Sequence, residues 1–473
     1  MRTLTITLLA AASCVIPLLA QPSWPQFRGP NGLGIAPQGN PPIHFGASTN
    51  LLWKTALPSG HSSPCIWGDR IFLTSLEKDQ LETLCLDRRT GRLLWRRAAP
   101  AERIEPTHRL GNPASSTPTT DGDRVYVHFG SFGMLCYDFD GKEQWRKPLP
   151  FPVIEYGSSA SPILAGDLVV IVCDQDIHSY LLALDRATGQ TVWKVERPEF
   201  PRGFGTPLLW RHDAIEEIVV PGTLWLKSYN VKDGGERWKV HGLARVFCTS
   251  PVAGDGLLFV AAWAPGGDAA SRITMPAFES FAGENDKNKD ARFTKDEVPP
   301  GPFLERFSQI DANKDQVITP EEWKSMVDIF ARVENCAVAV RPGGRGDISD
   351  THVVWKQTRG LPYVPSPLFY EGRIFLVKNG GLASCFDAKT GKPFYLEERL
   401  GALGDYYASP VAANGRIYSA SQNGVVVVFN AGETLDVLAR NELGEPVMAT
   451  PAIVDESLYI RTAGHLYAFG AGE

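Results

Sequence analysis

The feature that most constrains this chain is a recurring dipeptide, a small hydroxyl residue followed by proline, each copy opening a turn and an apolar strand. It occurs at Ser63-Pro64, Thr117-Pro118, Ser161-Pro162, Thr206-Pro207, Ser250-Pro251, Ser366-Pro367, Ser409-Pro410 and Thr450-Pro451. A second signal interleaves with it: a strand, an Asp-x-x-Thr-Gly turn, and a strand ending in tryptophan. The clearest copy runs from Leu182 through Gly189 to Trp193, and another from Leu84 through Gly91 to Trp95. Looser copies end at Trp145, Trp238 and Trp355, while Tyr395 and Leu438 take the aromatic's place in the sixth and seventh. Glycine supplies the positive φ of such a turn, aspartate can bond the turn backbone, and tryptophan packs as a wedge between sheets.

Repeats of this length point to stacked or radial units, each one supersecondary element. The last unit has strands near Leu458–Thr462 and His465–Phe469, after which the chain ends. Its missing outer strand is available in Asn50-Leu51-Leu52-Trp53-Lys54, ahead of the first Ser-Pro. An all-β fold is therefore expected: an eight-bladed β-propeller of four-stranded blades, closed by the N-terminal strand. Closure removes the free sheet edges that would otherwise pair with other chains. A parallel β-helix is the alternative, but these repeats are too long for its usual coil.

Spacing locates one interruption. Successive repeat prolines lie 54, 44, 45, 44, 116, 43 and 41 positions apart. The fifth interval is far longer than any ordinary loop between strands. Gly256–Trp263 reads as a strand of the fifth blade and Cys336–Arg341 as its resumption. The expected division is 1–20 as a signal peptide, 21–263 and 336–473 as propeller, and 264–335 as an inserted all-α domain.

Two twelve-residue segments of the insertion carry oxygen ligands at regular loop positions. The first places Asp286, Asn288, Asp290, Thr294 and Glu297 at positions one, three, five, nine and twelve, with the carbonyl of Arg292 at seven. The second places Asp311, Asn313, Asp315, Thr319 and Glu322 likewise, with the carbonyl of Val317 at seven. Calcium, a hard cation, takes six to eight oxygens, and a bidentate glutamate fills two places. Across these residues the insertion resembles an EF-hand pair, so two calcium sites are expected. Phe293 and Ile318, at position eight, are expected to join the loops by a short β-bridge. One departure is that Ala291 and Gln316 stand where position six is usually glycine, which implies strain of about 1 kcal/mol or more per loop.

The start of the chain reads as an export signal. Arg2 precedes a mostly apolar run from Leu4 to Ala20, with cleavage expected near Ala20. Lipidation at Cys14 is the weaker alternative, because Ala11-Ala12-Ser13 lacks the usual apolar residue. A periplasmic or secreted protein is expected, and no later run is long enough for an integral membrane span. Net charge is −6, without the basic clustering that nucleic-acid binding needs, so no nucleic-acid partner is expected. Seven cysteines follow the signal, none adjacent and none in a C-x-x-C pair. Cys85, Cys136 and Cys385 each precede an aspartate of the repeat, where Ala183 stands in another copy, and so read as small buried residues.

The opening Trp24-Pro25-Gln26-Phe27-Arg28-Gly29-Pro30 and the Asp-x-x-Thr-Gly-x-x-x-Trp repeats resemble PQQ-repeat propellers. That family includes the outer-membrane-protein assembly factor BamB and the quinoprotein alcohol dehydrogenases. The enzymatic branch implies an adjacent cysteine pair over the quinone, and this chain has none. Nor does it carry the C-x-x-C-H of an attached haem. PQQ is therefore not an expected cofactor and no catalytic residue is assigned. The expected function is a non-enzymatic scaffold binding calcium and an unidentified protein or small-molecule ligand. A quinoprotein dehydrogenase and a BamB-like assembly factor are the alternatives. His108, Arg109, Tyr156, Arg202 and Tyr406 precede inner strands and are the candidates for a ligand or partner surface.

Overall fold

A computed structural model describes residues 21–470; the expected signal, residues 1–20, lies outside them. Eight sheets, antiparallel except for one short parallel pairing at the edge of the fourth, are arranged as the blades of a propeller, numbered 1 to 8 in the order of their Ser/Thr-Pro openings. Blade 3 shows the plan, with strands Ile163–Ala165, Leu168–Cys173, Tyr180–Asp185 and Thr191–Glu196 running from the axis outwards. The two middle strands are almost wholly buried, because a neighbouring blade covers each face. They accordingly read as continuous apolar runs, whereas the outer strand is largely exposed and polar. Blade 1 gains a short fifth strand, Ser23–Trp24, and blade 4 gains Gly346–Asp347.

Blade 8 is assembled from both ends of the chain. Ala452–Val454, Ser457–Arg461 and His465–Phe469 come from the C-terminal part, and Leu51–Ala56 pairs with the last of them. Trp53 lies opposite Ala468, the position occupied by the repeat tryptophan in blades 1 to 5.

That tryptophan joins blades to one another. The indole N–H donates to a turn carbonyl of the next blade in five cases: Trp53 to Arg88 at 3.0 Å, Trp95 to Phe139 at 2.9 Å, Trp145 to Arg186 at 3.0 Å, Trp193 to Val231 at 2.9 Å, and Trp355 to Ala388 at 2.9 Å. Each ring lies flat against the glycine of that turn. At Gly189, whose φ is +70°, a Cβ would come within 2.5 Å of Trp145. The turn requires glycine twice over, for its backbone and for its neighbour. In the same turn Asp185 accepts from Thr188 N at 2.8 Å and Thr188 Oγ1 at 2.7 Å, and these bonds hold its carboxyl below the ordinary range.

Three blades depart from the plan. Tyr395 of blade 6 takes the tryptophan position as expected, opposite Cys385, but its buried hydroxyl finds no partner among the described residues. In blade 7 the register corrects the expectation: Ala439, not Leu438, stands opposite Val428 at that position. A one-residue shift in a strand exchanges its faces. Trp238 of blade 4 turns its indole N–H onto buried Glu217, 3.0 Å from each carboxylate oxygen.

In blade 5, Leu257–Ala262 pairs directly with Cys336–Val340, and Ala262 lies opposite Cys336. Residues 263–335 leave the sheet between these partners. They form helices Phe278–Asn285, Pro302–Glu305, Phe307–Ile310 and Pro320–Arg332 around an aromatic core. Phe281 stacks on Trp323 with ring centroids 4.4 Å apart. Thr319 and Glu322 cap the last helix reciprocally. No described helix is long and apolar enough to cross a membrane.

The segment before the first blade closes one end of the axis. The Pro25 carbonyl accepts from Thr120 N of blade 2 at 2.9 Å, the Arg28 guanidinium donates to Pro367 O of blade 6 at 2.7 Å, and Ile35 bridges Ala412 of blade 7. Gly29 is required at its place: its φ is +67°, and a Cβ there would sit 2.4 Å from the Trp24 ring.

Candidate functional site

The eight Ser/Thr-Pro pairs meet on the axis, where each backbone N–H donates to the hydroxyl of the next blade. Ser63 donates to Thr117 and Thr117 to Ser161, both at 2.9 Å. Ser161 donates to Thr206 at 3.1 Å and Thr206 to Ser250 at 2.9 Å. Ser250 to Ser366, Ser366 to Ser409 and Ser409 to Thr450 are each 3.0 Å. Thr450 closes the circle on Ser63 at 3.1 Å. Proline after the hydroxyl residue has no N–H to compete, so a single donor and a single acceptor per blade make an unbroken ring.

The ring lines one end of a cavity of about 430 Å3, and Phe27 of the crossing segment lines it too. The walls are loop residues, among them His61, His108, Tyr156, Arg202, Arg245, Cys248, Tyr363 and Tyr407. Arg202 has φ +94° and is nearly buried. Its guanidinium donates to Asp176 at 2.5 Å and to Glu155 at 3.2 Å, and lies 5.7 Å from the Tyr156 ring centre. Behind the wall, Ser158 donates through N and Oγ to Glu105, at 3.1 and 2.8 Å. Burial pushes the Glu105 carboxyl up to about 7. His61 is held down to about 4 by burial and by the nearby Arg461 charge, so it is neutral near pH 7. Burial lifts the Cys248 thiol to about 12, which keeps it protonated.

The insertion leans on this cavity. Gln309 lines it and donates to the Tyr156 hydroxyl at 3.3 Å. Ser308 donates to Glu155 at 2.8 Å, and the Lys314 ammonium lies 2.8 Å from Asp176. The two twelve-residue loops have closely similar internal bonding. Ala291 N reaches Asp286, and Gln316 N reaches Asp311, each at 3.0 Å. Thr294 N and Thr319 N reach Glu297 and Glu322 at 3.0 and 2.9 Å. Phe293 and Ile318 pair as an antiparallel bridge with N–H···O distances of 3.0 and 2.8 Å. Ala291 and Gln316 have φ of +60° and +73°, the left-handed conformation that costs a non-glycine residue about 1 kcal/mol. Among the described residues, no three histidine, cysteine, aspartate or glutamate side chains converge at metal-holding geometry. The other oxygens of these loops belong to Asn288, Asn313, Gln316, Thr294 and Thr319 and to backbone carbonyls, and the two asparagine side chains are bonded to Asp290 and Asp315.

Comparison with known proteins places the architecture. The family model for outer membrane protein assembly factor BamB matches residues 43–155 and, overlapping these, 82–245. The structure of BamB from Moraxella catarrhalis is 12% identical over 89% of this chain and 99% of that one, with a TM-score of 0.56. This chain is an eight-bladed β-propeller of four-stranded blades, whose residues 43–245 resemble the PQQ-repeat family. Quinohemoprotein alcohol dehydrogenase from Comamonas testosteroni shares the fold at 12% identity, over 96% of this chain and 81% of that one, with a TM-score of 0.54. The computationally designed Ika8 protein does so at 11% identity over 88% and 97%, with a TM-score of 0.52. No curated protein matches the sequence. At these identities the solved structures define the fold alone.

Of the surface candidates read from the sequence, the propeller brings His108, Tyr156 and Arg202 to the cavity. Arg109 is exposed and is not among the cavity's lining residues. Tyr406 is corrected: it is fully buried, its hydroxyl donates to Ala402 O at 2.9 Å, and Tyr407 faces the cavity instead. Arg245, Gln309 and Tyr363 were not legible as cavity residues, because none stands in a repeat position. The Ser/Thr-Pro positions, read in the sequence only as the openings of the blades, form its floor.

Proposed function

We propose that this protein is an exported, non-enzymatic scaffold that binds a ligand in the axial cavity and calcium in the inserted domain, with the second loop bracing the cavity wall. The observation that carries the reading is the direct connection of the second loop and the short helix before it to the wall, through Lys314–Asp176 from the loop and Ser308–Glu155 and Gln309–Tyr156 from the helix. A cavity of this size is ample for a small molecule, and it is walled by loops held on a closed ring.

The loop residues suit calcium in their chemistry. In the first loop Asp286, Asn288, Asp290, Thr294, Glu297 and the Arg292 carbonyl would hold the ion. In the second, Asp311, Asn313, Asp315, Thr319, Glu322 and the Val317 carbonyl would do so. All are hard oxygen donors. Asp311 is 1% exposed, and its carboxyl is raised by burial and by the charges of Glu322 and Asp315. A divalent cation would relieve that repulsion. Its part when bound is to neutralise these carboxylates and order the loop.

The test is calorimetric titration of calcium into metal-stripped mature protein, with thermal unfolding recorded before and after. Saturable binding at two sites with a raised melting temperature is the expected outcome. Absence of heat and of any shift at about 1 mM calcium, the range of weak extracellular sites, would overturn the calcium reading. Turnover of alcohols by the purified protein with added quinone would overturn the non-enzymatic one.

A further inference from the structure

The chain carries a net charge of −6, yet among the described residues no aspartate or glutamate lines the axial cavity; its charged lining residues are Arg202 and Arg245. Behind the lining, Glu155 and Asp176 are engaged by Arg202, Glu105 accepts from Ser158, and Asp405 accepts from the Tyr407 hydroxyl. Arg245 has no carboxylate partner among the described residues, and its Nε donates to the Pro265 carbonyl at 3.0 Å.

Two further cations stand close behind the lining. Arg461 is fully buried and bonded only to neutral oxygens, Ser62 Oγ at 2.7 Å and Thr74 O at 2.8 Å among them, and its charge is felt by His61. Arg28, next to Phe27 in the chain, is also fully buried. It donates to carbonyls alone, and its Nε and Nη1 have no partner among the described residues.

The floor supplies donors. A hydroxyl has one proton to give and lone pairs to receive. Each of the eight ring hydroxyls accepts a backbone N–H, and among the described residues none of the eight donates to a protein acceptor. Their protons are thus available to the cavity they line. A circle of hydroxyl donors within a field of uncompensated guanidinium groups is complementary to an acceptor-rich anion.

We propose that the axial cavity binds a compact oxyanion, a phosphate, sulfate or carboxylate group, seated on the Ser/Thr ring and charge-paired with Arg245. This rests on the reading of the cavity as a ligand site. The oxyanion is either a free ion or the charged end of a larger ligand, whose remainder would lie against Tyr156, Phe204, Tyr363 and Tyr407.

Three probes separate the outcomes when titrated calorimetrically into the mature protein at constant ionic strength: inorganic phosphate, phenyl phosphate and neutral phenol. Saturable phosphate binding, weakened about tenfold or more in Arg245→Gln, is the expected result. The same loss in Thr206→Val would place the ion on the ring, provided the variant's unliganded melting curve remains cooperative. Equal affinity for the two phosphates would identify a free ion; tighter phenyl phosphate would identify the head of a larger ligand. Phenol binding without phosphate binding would sink the oxyanion and leave the ligand cavity standing. Failure of all three would count against both. Phosphate binding of unchanged strength in both variants would overturn the proposal as well, since the ion would then sit elsewhere.

Discussion

Glu105 is a residue whose surroundings make a measurable difference to stability. Its carboxyl is ordinary at 4.5 in an open chain and is pushed up to about 7 in the fold, chiefly by burial. Below pH 4.5 both states hold the proton and the group is neutral to stability. Between 4.5 and about 7 the unfolded chain ionises while the folded one resists, so stability falls as pH rises, and above 7 the loss is complete. Glu105→Gln should abolish that dependence. Its unfolding free energy relative to the native protein should rise by on the order of 2–3 kcal/mol across this range, read from denaturant melts at several pH values. A flat difference would show that Glu105 ionises as freely folded as unfolded. At the same scale, the neighbours Tyr406 and Tyr407 differ completely, one bonded inside the core and the other facing the cavity.

At the scale of the element, the repeat tryptophan is a joint between sheets. Trp193 is 8% exposed, lies over Gly234 and donates to Val231 O at 2.9 Å. Trp193→Ala leaves a void at the interface of blades 3 and 4 and should cost about 3–5 kcal/mol. Blade 7 already carries Ala439 at this position, and Ala439→Gly should cost no more than about 1 kcal/mol in a strand. Chemical denaturation of the two variants checks the contrast. Equal losses would mean that the indole contributes no more than the methyl. Trp238 shows what a longer turn does to such a joint: the connection from Cys336–Val340 to Val353–Gln357 lays Gly346–Asp347 alongside Trp238 and Lys239. Blade 5 brings no matching turn to it, and its N–H is satisfied by Glu217 within its own blade.

For the whole molecule, closure is circular twice over. The outer strand of blade 8 comes from the start of the chain, and the hydroxyl ring returns from Thr450 to Ser63. A blade in such a circle has neighbours on both sides, so weakening one joint is felt by all. Thr55, opposite Leu466, lies in the closing strand. Thr55→Pro would remove an N–H from the ladder and should cost on the order of 1–3 kcal/mol. Hydrogen exchange should show protection falling in every blade. Loss confined to blade 8 would mean that the blades open independently, like the units of an open solenoid. The insertion adds an asymmetry to this circle, since it leans on the wall built by the loops of blade 3.

The sequence by itself determined the blade count, the closure by the N-terminal strand and the site of the interruption. All three follow from periodic signals, Ser/Thr-Pro and Asp-x-x-Thr-Gly…Trp, whose spacing is visible without knowing what touches what. It also placed twelve oxygen donors in two loops, from which the calcium proposal comes. Only the tertiary structure decided that eight hydroxyls scattered from Ser63 to Thr450 form one ring, that Arg245 and Gln309 reach the same cavity, and that no carboxylate among the described residues lines it. It likewise decided Ala439 over Leu438 and Tyr407 over Tyr406. Those choices turn on a strand's register and a loop's path, where a shift of one residue exchanges inside for outside and leaves the sequence pattern unchanged.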